Sequence, residues 1–210
     1  TDNSHDWFNP DPTTDYTWMT YAERLQDAGV SWQVYQNMAD NFTDNSLAGF
    51  RAFRDAWYMR PGYSQALRDR GVSTRDLDML KADVLANRLP QVSWIVATAE
   101  GSEHPGPSSP AQGADYTARV LDALTANPEV WAKTVLFVNF DENDGFFDHV
   151  PPPAAPSLNP DGSMAGASTI NTDLERHIKP SLQDAADKRV YGPGPRVPMY
   201  IVSPWSRGGW

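Results

Sequence analysis

Cysteine is absent from the 210 residues, which excludes disulfide scaffolds, thiolate zinc sites and cysteine nucleophiles together and leaves the redox compartment open. Long apolar runs are absent too. The longest, the short region from Val92 to Ala99, falls far below the roughly 18 to 20 residues that a membrane-spanning helix needs. Positive charge is scarce: 17 Lys and Arg stand against 27 Asp and Glu, a net charge of -10. Such a balance repels phosphate polyanions, so nucleic acid is a poor partner unless a basic face is segregated or a metal is bound. There is no Gly-x-Ser-x-Gly elbow, phosphate-binding loop or dinucleotide glycine pattern, which sets aside the corresponding hydrolases and nucleotide binders. No internal repeat is found. Residue 1 is Thr rather than Met, no targeting segment precedes the first structural signals, and the chain stops abruptly at Trp210, so a piece of a longer protein is expected.

What is present is enough for a core. Hydrophobic residues make up 40% and charged residues 21%, outside the disordered classes, and 210 residues suit one domain or one solid part of a larger one. Apolar residues at Trp18, Tyr21, Leu25 and Ala28 predict a helix over Thr17 to Ala28, ended by Gly29. Ser31 to Tyr35 alternates as a short strand with Trp32 and Val34 on one face. Ser64 to Arg70 is a short helix before Gly71. Ser73 and Asp76 resemble a cap for a helix buried along Leu77, Leu80, Val84 and Leu85. Gln91 to Ala97 reads as a central strand and Glu100 to Pro110 as a loop. Gln112 to Leu124 is a helix, and Thr134 to Phe140 a second nearly continuous apolar strand. The order strand, loop, helix, strand is what a parallel crossover requires. Residues 151–170 are a surface loop or insertion, and Arg196 to Ser203 is a last strand.

Chemistry concentrates after the Thr134 to Phe140 strand. Loops at the carboxyl ends of parallel strands carry ligands in open sheets, and here Asp141, Glu142, Asp144 and Asp148 fall within eight residues. Their mutual repulsion is relieved by water, by protonation or by a cation. Carboxylate oxygens without thiolates suit Ca, Mg or Mn, and His104 and His149 keep zinc or iron open. The alternative is an acidic, solvated loop. Gly145 permits a tight turn, and Phe146 and Phe147 are expected to anchor the loop.

His104 also follows an apolar strand. It is either a proton carrier or donor to developing negative charge, or a surface loop histidine. His149, beside Asp148, is read as bonded to its neighbours and orienting the loop. His5 and His177 are read as surface residues. The eight Trp residues could cradle a quaternary ammonium group, but Trp18 on its helix stripe, Trp94 in its strand and Trp131 ahead of one are read as core.

The segment from Thr134 to Pro153, reading TVLFVNFDENDGFFDHVPPP, closely resembles the aspartate-glutamate motif of the bacterial phosphoesterase family that includes phosphocholine-preferring phospholipases C and a related acid phosphatase. The resemblance extends through Thr17 to Leu25, Gly29 to Gln36, Ser102-Glu103-His104-Pro105 and Arg196 to Trp210, nearly the whole chain. It implies an alkaline-phosphatase-like α/β three-layer sandwich with a mostly parallel sheet. Residues 1–210 would be the central to C-terminal part of one catalytic domain. It further implies that Asp141 and Glu142 hold a divalent metal ion, that Asp144, Asp148 and His149 support the loop, and that His104 stands beside the phosphoryl group. The family's amino-terminal Glu-Asn motif and its Ser or Thr nucleophile are not found and are expected before Thr1. The implied activity is a secreted or periplasmic phospholipase C acting on phosphatidylcholine or sphingomyelin headgroups. A phosphomonoesterase and a non-catalytic metal-binding remnant of the fold are the alternatives.

Overall fold

A computed structural model of the chain describes residues 15–176, 188–206 and 208, apart from the side chain of Leu174. His5, His177 and the residues Arg207, Gly209 and Trp210 of the final motif lie outside the described residues. The chain divides into two compact units, with the boundary between Thr134 and Val135.

In the first unit, helix α1 (Tyr21–Asp27) starts later than its apolar spacing predicts, because Thr20 caps it. The Thr20 hydroxyl accepts from Glu23 N at 3.2 Å while the Glu23 carboxylate accepts from Thr20 N at 2.7 Å, satisfying two donors reciprocally. Trp18 therefore precedes the helix and is not on its buried stripe. Gly29, at φ 69°, turns the chain out of the helix as Val30 N donates back to Leu25 O at 2.9 Å.

Strand β1 (Trp32–Tyr35) pairs in parallel with β2 (Val92–Ile95), Val34 lying opposite Trp94. All four β1 residues are buried, rather than one face of them. Helices α1, α3 (Gln65–Gly71) and α4 (Leu77–Leu85) enclose the strand. Gln33 tolerates this because its side-chain amide donates to Arg70 O at 2.9 Å. β2 is half-exposed and has one strand partner among the described residues, not the two of a central strand.

Residues 36–63, for which the sequence predicts no element, hold a 3-10 turn (Ser46–Gly49) and helix α2 (Arg51–Trp57). Phe53 and Ala56 of α2 join Leu25, Trp32, Leu67 and Val72 in the core. Between them Arg54 is buried in an ion pair with buried Asp15 at 2.8 Å. Removing one partner of such a pair costs roughly 3–5 kcal/mol. The α4 cap is Asp76, which accepts from Met79 N at 3.1 Å, while the Ser73 hydroxyl donates to Asp69 O. Helix α5 (Pro110–Thr125) opens on the Ser109 cap with Pro110 in its first turn, packs on α4, and is followed by the single turn α6 (Pro128–Trp131).

In the second unit, β3 (Leu136–Asn139) pairs antiparallel with β4 (Met199–Val202), Phe137 opposite Ile201. The expected parallel crossover from β2 through α5 to β3 is not formed by the described strands. Sequence order supplies the elements of such a crossover, but backbone hydrogen bonds can be satisfied by any strand that reaches the edge, and β4 reaches β3. β3 also alternates half-buried and exposed residues instead of burying both faces. Residues 151–170 contain no helix or strand beyond an isolated bridge between Leu158 and Met164, and a 3-10 turn follows at Asp173–Glu175. The chain is thus a mixed α/β protein with one parallel and one antiparallel strand pair.

Candidate functional site

His104 sits in the first unit, on the loop joining β2 to α5. Its backbone N donates to Ser102 Oγ at 3.1 Å and its carbonyl accepts from Ser108 N at 3.2 Å. Glu103, immediately before it, takes φ 65°, and its N donates to Ser108 Oγ at 3.0 Å. The loop rests on α5 at two glycines. Gly101 lies against the Tyr116 ring, and Gly113 leaves the space that the Glu103 side chain fills. The Tyr116 hydroxyl donates to Val96 O at 3.3 Å. Burial pushes its pKa up to about 12, against the opposing pull of Arg119.

The His104 imidazole is exposed and stacks obliquely on Phe42, ring centroids 4.9 Å apart. Phe42 is at φ 50° and Thr43 at φ 63°, a left-handed pair that β-branched Thr rarely adopts. Two buried amides hold this turn. Asn41 and Asn45 each donate to Gln36 Oε1 at 3.0 Å, and Asn45 also donates to Gly71 O at 2.8 Å. Sequence reading missed these residues. Their only local signal was the density of Asn and Asp between 37 and 45, which marks turns without saying what the turn supports.

The acidic residues lie in the second unit, directly after β3. Asn143 donates to Phe146 O and accepts from Phe146 N at 3.0 Å, closing a turn in which Asp144 takes φ 51° and Gly145 φ 77°. Asp148 accepts from Arg196 N at 3.1 Å and Arg196 Nε at 2.6 Å, tying the loop to the approach to β4. These bonds hold its carboxyl below the usual carboxylate range. Phe146 and Phe147 do not anchor the loop. They are 78% and 86% exposed, because the turn directs the chain outward and Asn143 and Asp148 hold it instead. His149 is exposed and has no hydrogen-bonding partner among the described residues.

Asp141, Glu142 and Asp144 are likewise without a hydrogen-bonding or ionic partner among the described residues. Adjacent unpaired carboxylates suit a hard divalent ion chemically. Yet among the described residues no group of three His, Asp or Glu side chains converges.

The phosphoesterase family model matches residues 1–210, the whole chain. The chain belongs to the phosphoesterase family. This phosphoesterase chain is 61% identical over 210 residues to a non-hemolytic phospholipase C of Pseudomonas aeruginosa, covering 100% of the chain and 29% of that relative. It is 44% identical over 215 residues to a non-hemolytic phospholipase C of Burkholderia pseudomallei, covering 93% of the chain and 29% of the relative. Phospholipase C B of Mycobacterium tuberculosis is 39% identical over 203 residues, covering 95% and 36%. The phosphoesterase chain thus spans about a third or less of the length of these relatives.

Proposed function

We propose that the longer protein to which this phosphoesterase chain corresponds is a phospholipase C, a secreted or periplasmic phosphoric diester hydrolase that releases phosphocholine from phosphatidylcholine or sphingomyelin. The observation that carries the reading is the 61% identity, over every residue of the chain, to a relative named non-hemolytic phospholipase C. In this reading the two strand pairs belong to an alkaline-phosphatase-like three-layer sandwich that further chain completes.

The proposed division of labour follows from the donor types. Asp141 and Glu142 would hold a divalent ion, Ca, Mg, Mn or Zn, together with ligands from outside this chain. Such an ion, when bound, offsets charge on the phosphoryl oxygens. His104, on its pinned loop, would hydrogen-bond the phosphoryl group or give a proton to the departing alkoxide. Asp148 and Arg196 would keep the acidic turn in place. The Ser or Thr nucleophile would come from outside residues 1–210.

The test uses the full-length protein, wild type against Asp141→Asn and Glu142→Gln, with metal content and phosphodiester turnover measured on each. Losing a first carboxylate should lower turnover by roughly 100-fold or more, since metal stabilisation is worth several kcal/mol and each 1.36 kcal/mol is tenfold. Metal content should fall with it. Variants that keep full metal and full activity would remove the acidic loop from the site, and a large preference for simple phosphate monoesters would overturn the phospholipase reading.

A further inference from the structure

We infer that Phe42 is a positioning residue for His104: its ring fixes the plane of the imidazole, and the turn that carries it is braced from the core. What His104 does there rests on the phospholipase reading; the contact between the two rings does not.

Strands β1 and β2 are parallel neighbours with Tyr35 opposite Ile95, so the segments that follow them leave from the same edge. The two segments meet twice. The Asp40 carboxylate accepts from Ala99 N at 2.9 Å, where the histidine loop starts, and the Phe42 ring lies against the His104 ring with centroids 4.9 Å apart and planes at 52°. Tilted aromatic pairs at this range attract beyond the area they share. The His104 side chain is exposed, and neither ring nitrogen has a hydrogen-bonding partner among the described residues. The bonds to Ser102 and Ser108 hold only its backbone. A side chain so placed keeps its rotamer freedom unless packing removes it. Phe42 supplies that packing through a ring face, which leaves both imidazole nitrogens open to a ligand.

The Phe42 side of the contact is held still. Phe42 and Thr43 sit at φ 50° and 63°, a strain that persists only where the surroundings over-determine it. The surroundings are three buried amides. Asn41 and Asn45 clasp Gln36 Oε1, and Gln36, directly after β1, donates from Nε2 to Gly71 O at 3.0 Å. The core itself makes no use of Phe42. It is half-buried, it is not among the apolar side chains packed on the core of the first unit, and its aromatic contact among the described residues is His104. A group that donates to a phosphoryl oxygen or a leaving alkoxide acts only when aligned, so a neighbour that fixes its plane acts on the rate of the chemical step.

The test uses the full-length protein as wild type, Phe42→Leu and Phe42→Tyr. Leucine keeps apolar bulk and loses the flat ring, whereas tyrosine keeps the ring. On a soluble phosphocholine diester, Phe42→Leu should lower kcat about tenfold, the rate equivalent of a strong aromatic pair, with KM within about twofold. Phe42→Tyr should recover most of that loss. With histidine labelled by carbon-13 at Cε1, and the His104 signal assigned through His104→Gln, the wild-type signal should be displaced by the Phe42 ring current. It should return towards that of free imidazole in Phe42→Leu and stay displaced in Phe42→Tyr. A folded Phe42→Leu with wild-type kcat, a rise in KM at unchanged kcat, a Phe42→Tyr as slow as Phe42→Leu, or a His104 signal that does not move overturns the proposal. Should Phe42→Leu not fold, an undisplaced wild-type signal overturns it, and a displaced one that is kept in Phe42→Tyr supports it. A wild type that hydrolyses neither the diester nor a phosphate monoester removes the phospholipase reading instead, and the His104 signal then decides alone whether Phe42 fixes the ring.

Discussion

Tyr116 shows how a single residue reports on the histidine loop. Its ring packs on Gly101, and burial raises its pKa to about 12. The unfolded value is about 10. A folded pKa above the unfolded one means that the unfolded chain loses its proton first as pH rises. The stability Tyr116 contributes is thus complete below about pH 10 and lost progressively towards pH 12. Urea unfolding of wild type and Tyr116→Phe across pH 8 to 11.5 should show a shallower alkaline decline in the variant, with a change of no more than about 1 kcal/mol near neutrality. Tyr35 is raised as well, by burial and by its hydrogen bond to Asp83, so a residual slope remains. An identical slope in both proteins would contradict the assignment. At this scale the two motifs around His104 and around Asp141 and Glu142 stand out in the sequence, because each is written in neighbouring residues. The places of Trp18 and Phe42 do not: spacing put Trp18 on a buried stripe, and only the Thr20 cap showed that the helix begins after it.

The histidine loop and α5 form a coupled element. A Cβ at Gly113 would lie 2.0 Å from Cγ of Glu103, the residue at positive φ that precedes His104. Alanine in a helix interior is usually favourable by about 0.5–1 kcal/mol relative to glycine, but here overpacking opposes it and displaces the loop. Gly113→Ala in the full-length protein should keep its far-UV circular dichroism and lose phosphodiester turnover severalfold. Unchanged kcat with unchanged KM would show that the loop absorbs the methyl without moving His104. Helices α1, α3, α4 and α5 could be read from period and caps, each a signal carried within about four residues. Helix α2 could not, because its buried stripe includes Arg54, whose burial depends on Asp15 some forty residues away in sequence.

Across the whole molecule the core is unevenly distributed. Among the described residues, the buried hydrophobic ones, from Ala22 to Val130, all belong to the first unit. In the second, Phe137 and Tyr200 of the strand pair are exposed. Local stability follows buried apolar contact. In hydrogen exchange on residues 1–210, amides of Trp32, Phe53, Leu80 and Val84 should be the most protected, and those of β3 and β4 should exchange earlier. Equal protection in the two units would contradict this. The sequence by itself determined the family, the lack of thiol chemistry, the caps and most helices, and the contiguous acidic and histidine motifs, because each is written in neighbouring residues. Only the tertiary structure decided that β3 pairs with β4, that Phe146 and Phe147 face outward, and that Phe42 lies against His104. Strand pairing uses the same backbone groups whatever the side chains, and exposure depends on which distant segments cover a residue, so neither is encoded in a local pattern.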